Sequence, residues 1–92
     1  MAAMIEGRFA GHDGAPLFRR AWPAAGRPRG VLINLHGLGD HSGLYPTVSE
    51  HFTARGFAVH APDLRGNGRS PGPRGHIDSW GEYREDLRRF VA

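Results

Sequence analysis

The sequence contains no cysteine, no lysine and no apolar run of membrane-spanning length. Without cysteine, neither a disulfide framework nor a thiolate metal site can be built. A membrane-spanning helix needs about 20 consecutive apolar residues, so none is expected, and with no basic leader ahead of the first alternating stretch the expected location is cytoplasmic. Without lysine, all twelve basic residues are arginines, set against nine acids for a formal charge of +3. They are dispersed along the chain among the acids and are not interleaved with an aromatic stacking stripe. The expectation is a solvated surface and no nucleic-acid partner. Ninety-two residues allow one small domain with a single modest core.

What the sequence does contain is organised around Val31-Leu32-Ile33-Asn34-Leu35-His36-Gly37-Leu38-Gly39-Asp40-His41. Residues 31–35 are aliphatic, partly β-branched and too few for an ordinary helix, which predicts a buried strand. The polar, glycine-spaced residues after it lie where an open parallel sheet binds its ligands, beyond the carboxyl end of a strand.

Upstream, residues 4–10 alternate and can pair with residues 17–22 across Gly11-His12-Asp13-Gly14, which predicts an antiparallel hairpin. Residues 22–30 hold two prolines and two glycines and read as a loop. Downstream, Tyr45-Pro46 opens a predicted helix whose apolar face is Tyr45, Val48 and Phe52, closed at Gly56. Residues 57–61 form a second apolar strand, and the strand-helix-strand order predicts parallel pairing by a right-handed crossover. A long glycine- and proline-punctuated loop follows. Ser79-Trp80-Gly81-Glu82 then has the form of a capping box that starts a second helix. Its inward face is predicted to be Trp80, Tyr83, Leu87, Phe90 and Val91, with Glu85 paired to Arg89 on the outer face. The expected architecture is α/β: an antiparallel hairpin, then strand, helix, strand and helix, with the last two strands parallel.

Two motifs together, His36-Gly37-Leu38-Gly39-Asp40-His41-Ser42-Gly43 and Asp63-Leu64-Arg65-Gly66-Asn67-Gly68-Arg69-Ser70, each ending a strand, resemble the α/β-hydrolase family. The closest likeness is to its monoacylglycerol lipase and lysophospholipase branch, over residues 6–91. One departure is Asn67, where that family usually carries histidine. The resemblance implies a serine carboxylic-ester hydrolase with a small acyl-ester or lipid substrate and no metal or organic cofactor. It also implies that the Leu38 backbone N–H is one donor of an oxyanion hole, in a loop shaped by His36, Gly37 and Gly39, with Asp63, Gly66 and Gly68 shaping the second loop. Preorganised donors aimed at developing negative charge are what acyl transfer needs.

No serine of the chain stands in a G-x-S-x-G elbow. His36 is expected to bond its own loop rather than act as a base, and Asp63 to cap the turn that follows it. No catalytic residue is therefore assigned within these 92 residues. The chain reads as the N-terminal portion of a single α/β-hydrolase domain, ending before the nucleophile elbow and inactive alone. A non-catalytic remnant, or a subunit of a split protein that binds a complementing polypeptide, is the alternative. An edge of the central strand left unpaired would promote self-association. Two other readings fail on single residues: Leu38 occupies the position where a metallo-β-lactamase signature needs a histidine ligand, and Gly66-Asn67-Gly68-Arg69-Ser70-Pro71 lacks the last glycine of a dinucleotide fingerprint.

Overall fold

The computed structural model of the chain describes residues 4–36, 41–44, 46–77 and 79–91. β1 (Ile5–Ala10) and β2 (Pro16–Trp22) form the hairpin, with Phe9 opposite Leu17 and Ile5 opposite Ala21. Gly14 supplies the left-handed turn at φ 84°, and the Asp13 carboxylate accepts the Ala15 N–H at 3.1 Å. β3 (Gly30–Ile33) and β4 (Phe57–Pro62) are parallel, joined through α1 (Pro46–Thr53), as the strand-helix-strand order predicts. β4 also pairs antiparallel with β2, so the sheet runs β1-β2-β4-β3. α2 (Trp80–Val91) completes the chain.

The two helices cover opposite faces. On one, Trp22, Val59 and Ala61 form a buried cluster with Leu32 and Phe52 of α1. On the other, Phe90 of α2 sets its ring edge against Phe9 of β1, centroids 5.0 Å apart. Gly56, at φ 93°, stops α1, and its N–H reaches back to the Thr53 carbonyl. The Glu82 N–H donates to the Ser79 carbonyl at 3.1 Å, so α2 begins where the capping pattern places it.

Burial departs from the pattern-based expectation in three places. β3 is not a buried strand: it is an edge strand among the described residues, and Val31 is 60% exposed, Ile33 42% and Leu35 46%. Leu32 packs toward α1, but Val31 and Ile33 point to the other face and, with one partner strand among the described residues, stay largely uncovered. In α1, Val48 is exposed while Ser49 and Thr53 are buried, because the helix rests on its small residues. Tyr45 lies outside the described residues. In α2, Trp80 and Val91 are exposed, and the deepest residue beside Phe90 is Asp86. Glu85 lies 3.6 Å from Arg88 rather than being bridged to Arg89.

Candidate active-site loops

The parallel strands β3 and β4 end side by side, and the loop that leaves each is tied to the other. The His36 side chain, 5% exposed, accepts the Leu64 N–H on Nε2 at 2.8 Å. An accepting Nε2 fixes the neutral ring with its proton on Nδ1. This bond crosses to the loop after β4. Asp63 makes the reciprocal tie. It is fully buried, its Oδ1 accepts the Ser42 N–H at 2.6 Å, and its Oδ2 accepts the Arg69 N–H at 2.9 Å.

Burial pushes the Asp63 carboxyl upward, but the hydrogen bonds from Ser42 and Arg69 and the charge of Arg20 together outweigh it. The net effect holds the group below its ordinary value. Arg20 donates to the Ser42 hydroxyl at 2.7 Å and stands 3.9 Å from Asp63, completing a buried polar knot beneath the sheet's carboxyl end. Ser70 closes the loop after β4 by accepting the Phe18 N–H and donating its hydroxyl proton to the Asp63 carbonyl. Backbone N–H groups occupy Nε2 of His36 and both carboxylate oxygens of Asp63, and these bonds tie the two loops together.

Gly66 and Gly68 sit at φ 78° and 52°. A Cβ at Gly66 would meet the Pro73 carbonyl, and one at Gly68 would meet the Asp63 carboxylate. Both the left-handed backbone and the close approach require glycine there. Asn67, buried, donates to the Arg65 carbonyl at 3.0 Å. Leu38, Gly37 and Gly39 lie outside the described residues, although the residues on both flanks, His36 and Ser42, are anchored as above.

The sequence reading missed the strongest electrostatic feature. Arg65, 7% exposed, grips Asp86 through two bonds of 2.9 Å and Asp13 through bonds of 2.8 and 3.1 Å, with Glu82 at 3.8 Å. The side-chain bonds from Asp86 and then Asp13 raise the guanidinium above its ordinary value. Asp13, bonded by Arg65 and by the Ala15 N–H, is lowered to about 2. This guanidinium joins the hairpin turn, the loop after β4 and α2. The i, i+4, i+8 spacing of Glu82, Asp86 and Phe90 is the only signal that could have revealed it, and a charged side chain at such a position normally reads as an outward one.

Among the described residues no helix is long and apolar enough to cross a membrane. A monoacylglycerol lipase of Mycolicibacterium smegmatis is 41% identical over 95% of this chain, which corresponds to 31% of that protein. The crystal structure of a monoacylglycerol lipase from Paleococcus ferrophilus superposes with TM-score 0.72 at 37% identity, over 82% of this chain and 28% of that one. A thermostable carboxyl esterase from Bacillus coagulans superposes with TM-score 0.80 at 26% identity, over 99% of this chain and 32% of the esterase. The chain spans under a third of the length of the curated relatives it matches. Residues 26–92 match the family described as serine aminopeptidase, S33. With the hairpin and the parallel strand pair described above, and with these solved structures superposing on the chain, the chain belongs to that family and is an N-terminal part of an α/β-hydrolase.

Proposed function

We propose that this chain forms the N-terminal third of a serine carboxylic-ester hydrolase acting on a monoacylglycerol or lysophospholipid, and that its contribution to the chemistry is a backbone one. The observation that carries this is the double anchoring of the loop between His36 and Ser42 onto the loop after β4. A donor that stabilises a tetrahedral oxyanion must be held in place before charge develops, because reorganisation at the moment of reaction would cost what the bond returns. The hydroxyl, base and acid of a triad are not assigned here: His36 and Asp63 are committed to backbone groups, and Ser42 and Ser70 are both buried within the knot. An ester rather than a peptide substrate follows the lipases and the esterase among the similar proteins, against the peptidase in the family's description.

Two preparations test this: the 92-residue chain, and the same chain continued by the remaining two-thirds of the Mycolicibacterium relative. The chain alone is expected to give no turnover of a chromogenic ester and no labelling by a serine-directed phosphonate. The chimera is expected to give both. In the chimera, Leu38→Ala should keep most activity, whereas Leu38→Pro removes the N–H and should lower turnover by about 100- to 1,000-fold at unchanged fold. A folded, fully active proline variant would remove Leu38 from the oxyanion hole. Turnover by the 92 residues alone would overturn the assignment of the chemistry to residues outside them.

The exposed outer edge of β3 supports a second reading, a subunit that captures a complementing polypeptide. Activity on mixing the chain with a separately made C-terminal portion would favour it.

A further inference from the structure

Arginines dispersed along the sequence are not all dispersed in space. The hairpin and the loop after β4 bring Arg8, Arg20 and Arg69 around one ring, that of Phe18, at 5.1, 4.8 and 5.2 Å from its centroid. Any two of these guanidinium groups therefore lie within about 10 Å of each other, one Debye length at 0.1 M salt. Three like charges so placed repel unless something compensates them. Arg20 is compensated: it is mostly buried and faces Ser42, Asp63 and Glu6. Of the exposed pair, Arg8 has no carboxylate within 4 Å among the described residues, and Arg69 shares Glu6 with Arg20. Arg8 donates to two carbonyls, of Pro16 at 3.1 Å and Arg69 at 2.9 Å, which fix its position without neutralising it. Arg69 Nη1 stands 3.4 Å from both carboxylate oxygens of the half-exposed Glu6, its one acidic partner among the described residues.

A fourth arginine repeats the pattern on the same loop. Arg74 donates to the carbonyls of Gly68, Ser70 and Gly72, the first two flanking Arg69. Carbonyl-held guanidinium groups keep their full charge and pay their ordering entropy within the fold, so a later ligand does not have to. Among the described residues Arg8, Arg69 and Arg74 are exposed, and the one carboxylate that pairs with any of them is the half-exposed Glu6, which Arg69 and Arg20 share.

The geometry points to a binding site for a phosphate-bearing anion, built by Arg8 and Arg69 over the Phe18 ring with Arg74 adding charge from the loop. A phosphate oxyanion suits it because planar guanidinium forks bind such oxygens in pairs. The group could be that of a soluble phosphate ester or of a lipid headgroup, and the two sources share this chemistry. The site involves neither the ester chemistry proposed above nor the loop between His36 and Ser42.

The test uses the full chain, with binding of sn-glycerol 3-phosphate by calorimetry and co-sedimentation with vesicles of phosphatidylcholine alone or mixed with phosphatidylglycerol. Arg8→Gln/Arg69→Gln should weaken binding at least about tenfold, the scale of one or two charge-assisted bonds. Arg27→Gln/Arg88→Gln, which removes the same charge elsewhere, should change it less than about twofold. Glu6→Gln should tighten binding, and circular dichroism identifies any variant that fails to fold. Saturable binding of the soluble ester together with mixed vesicles identifies the phosphate group itself. Sensitivity seen only with mixed vesicles identifies the lipid surface as the source. Equal losses in the two double variants, no gain from Glu6→Gln, or tighter binding of a single-stranded oligonucleotide unaffected by these substitutions would each overturn the site.

Discussion

The two outer strands of the sheet are held in different ways. β1 is paired along its whole length, faces Phe90 of α2, and ends in a turn that Arg65 ties to α2 and to the loop after β4. Among the described residues β3 has one partner strand and four paired positions, and its Val31 and Ile33 side chains stay exposed. The more polar sequence is therefore the better paired edge, and the more apolar one is left largely uncovered. Hydrophobic side chains stabilise only where something covers them, whereas a buried ion network stabilises wherever every member finds a partner.

The comparison breaks most sharply at Arg65. Arg65→Ala leaves the Asp86 carboxylate buried and short of its charge partner, with the His12 N–H at 3.0 Å as a remaining described donor. Removing one member of such a pair costs about 3–5 kcal/mol, so the urea midpoint should fall severely and α2 should detach. A loss below about 1 kcal/mol would show that α2 is held by Phe90 alone. Next comes the loop that carries the second motif. Gly68→Ala places a side chain at φ 52° against Asp63 and should cost about 1–3 kcal/mol, read as a lowered melting temperature. Gly14→Ala, also at positive φ but facing open space, should cost less, and equal losses would make backbone strain rather than the Asp63 contact the cause.

At the other edge, the chain is expected to self-associate through β3. Val31→Lys/Ile33→Lys should shift sedimentation toward the monomer while changing stability by less than about 1 kcal/mol. Unchanged association would place the contact elsewhere.

The smallest effect is that of pH. His60 faces Arg19, and burial, then the charge of that arginine, hold its imidazole below the ordinary 6.5. The unfolded chain therefore binds a proton that the folded one refuses. Stability is complete above about 6.5 and declines as pH falls toward the folded value. Asp13 and Asp63, both lowered, contribute stability that is present above about 3.8 and lost as pH falls further, down to about 2 for Asp13. A stability profile should show these two phases, and His60→Gln should remove the upper one. An upper phase that persists in that variant would belong to another histidine.

Much of the framework was legible in the residues. Alternation with a glycine turn defined the hairpin, the β-branched runs bounded by glycine and proline located β3 and β4, and Ser79 with Glu82 marked the start of α2. These are local signals, set by φ, by hydrogen-bond period and by the few residues that tolerate a turn. The loop after β4 was legible for the same reason, since Gly66 and Gly68 answer to backbone conformation.

What lies inside was decided by the tertiary structure. Local period names a face but cannot tell whether anything covers it, so Trp80, Val31 and Val48 are exposed although the pattern points inward. Nor can it show that an arginine 21 residues away will make Asp86 a core residue, or that Asp63 will close on Ser42 across the strand ends. A charged side chain can be buried only when its partners are brought to it, and those partners come from segments far apart in sequence. The sequence by itself determined the elements, their order and the glycine loop after β4. The packing of the hairpin turn, the loop after β4 and α2 around Arg65 determined which polar residues became the interior.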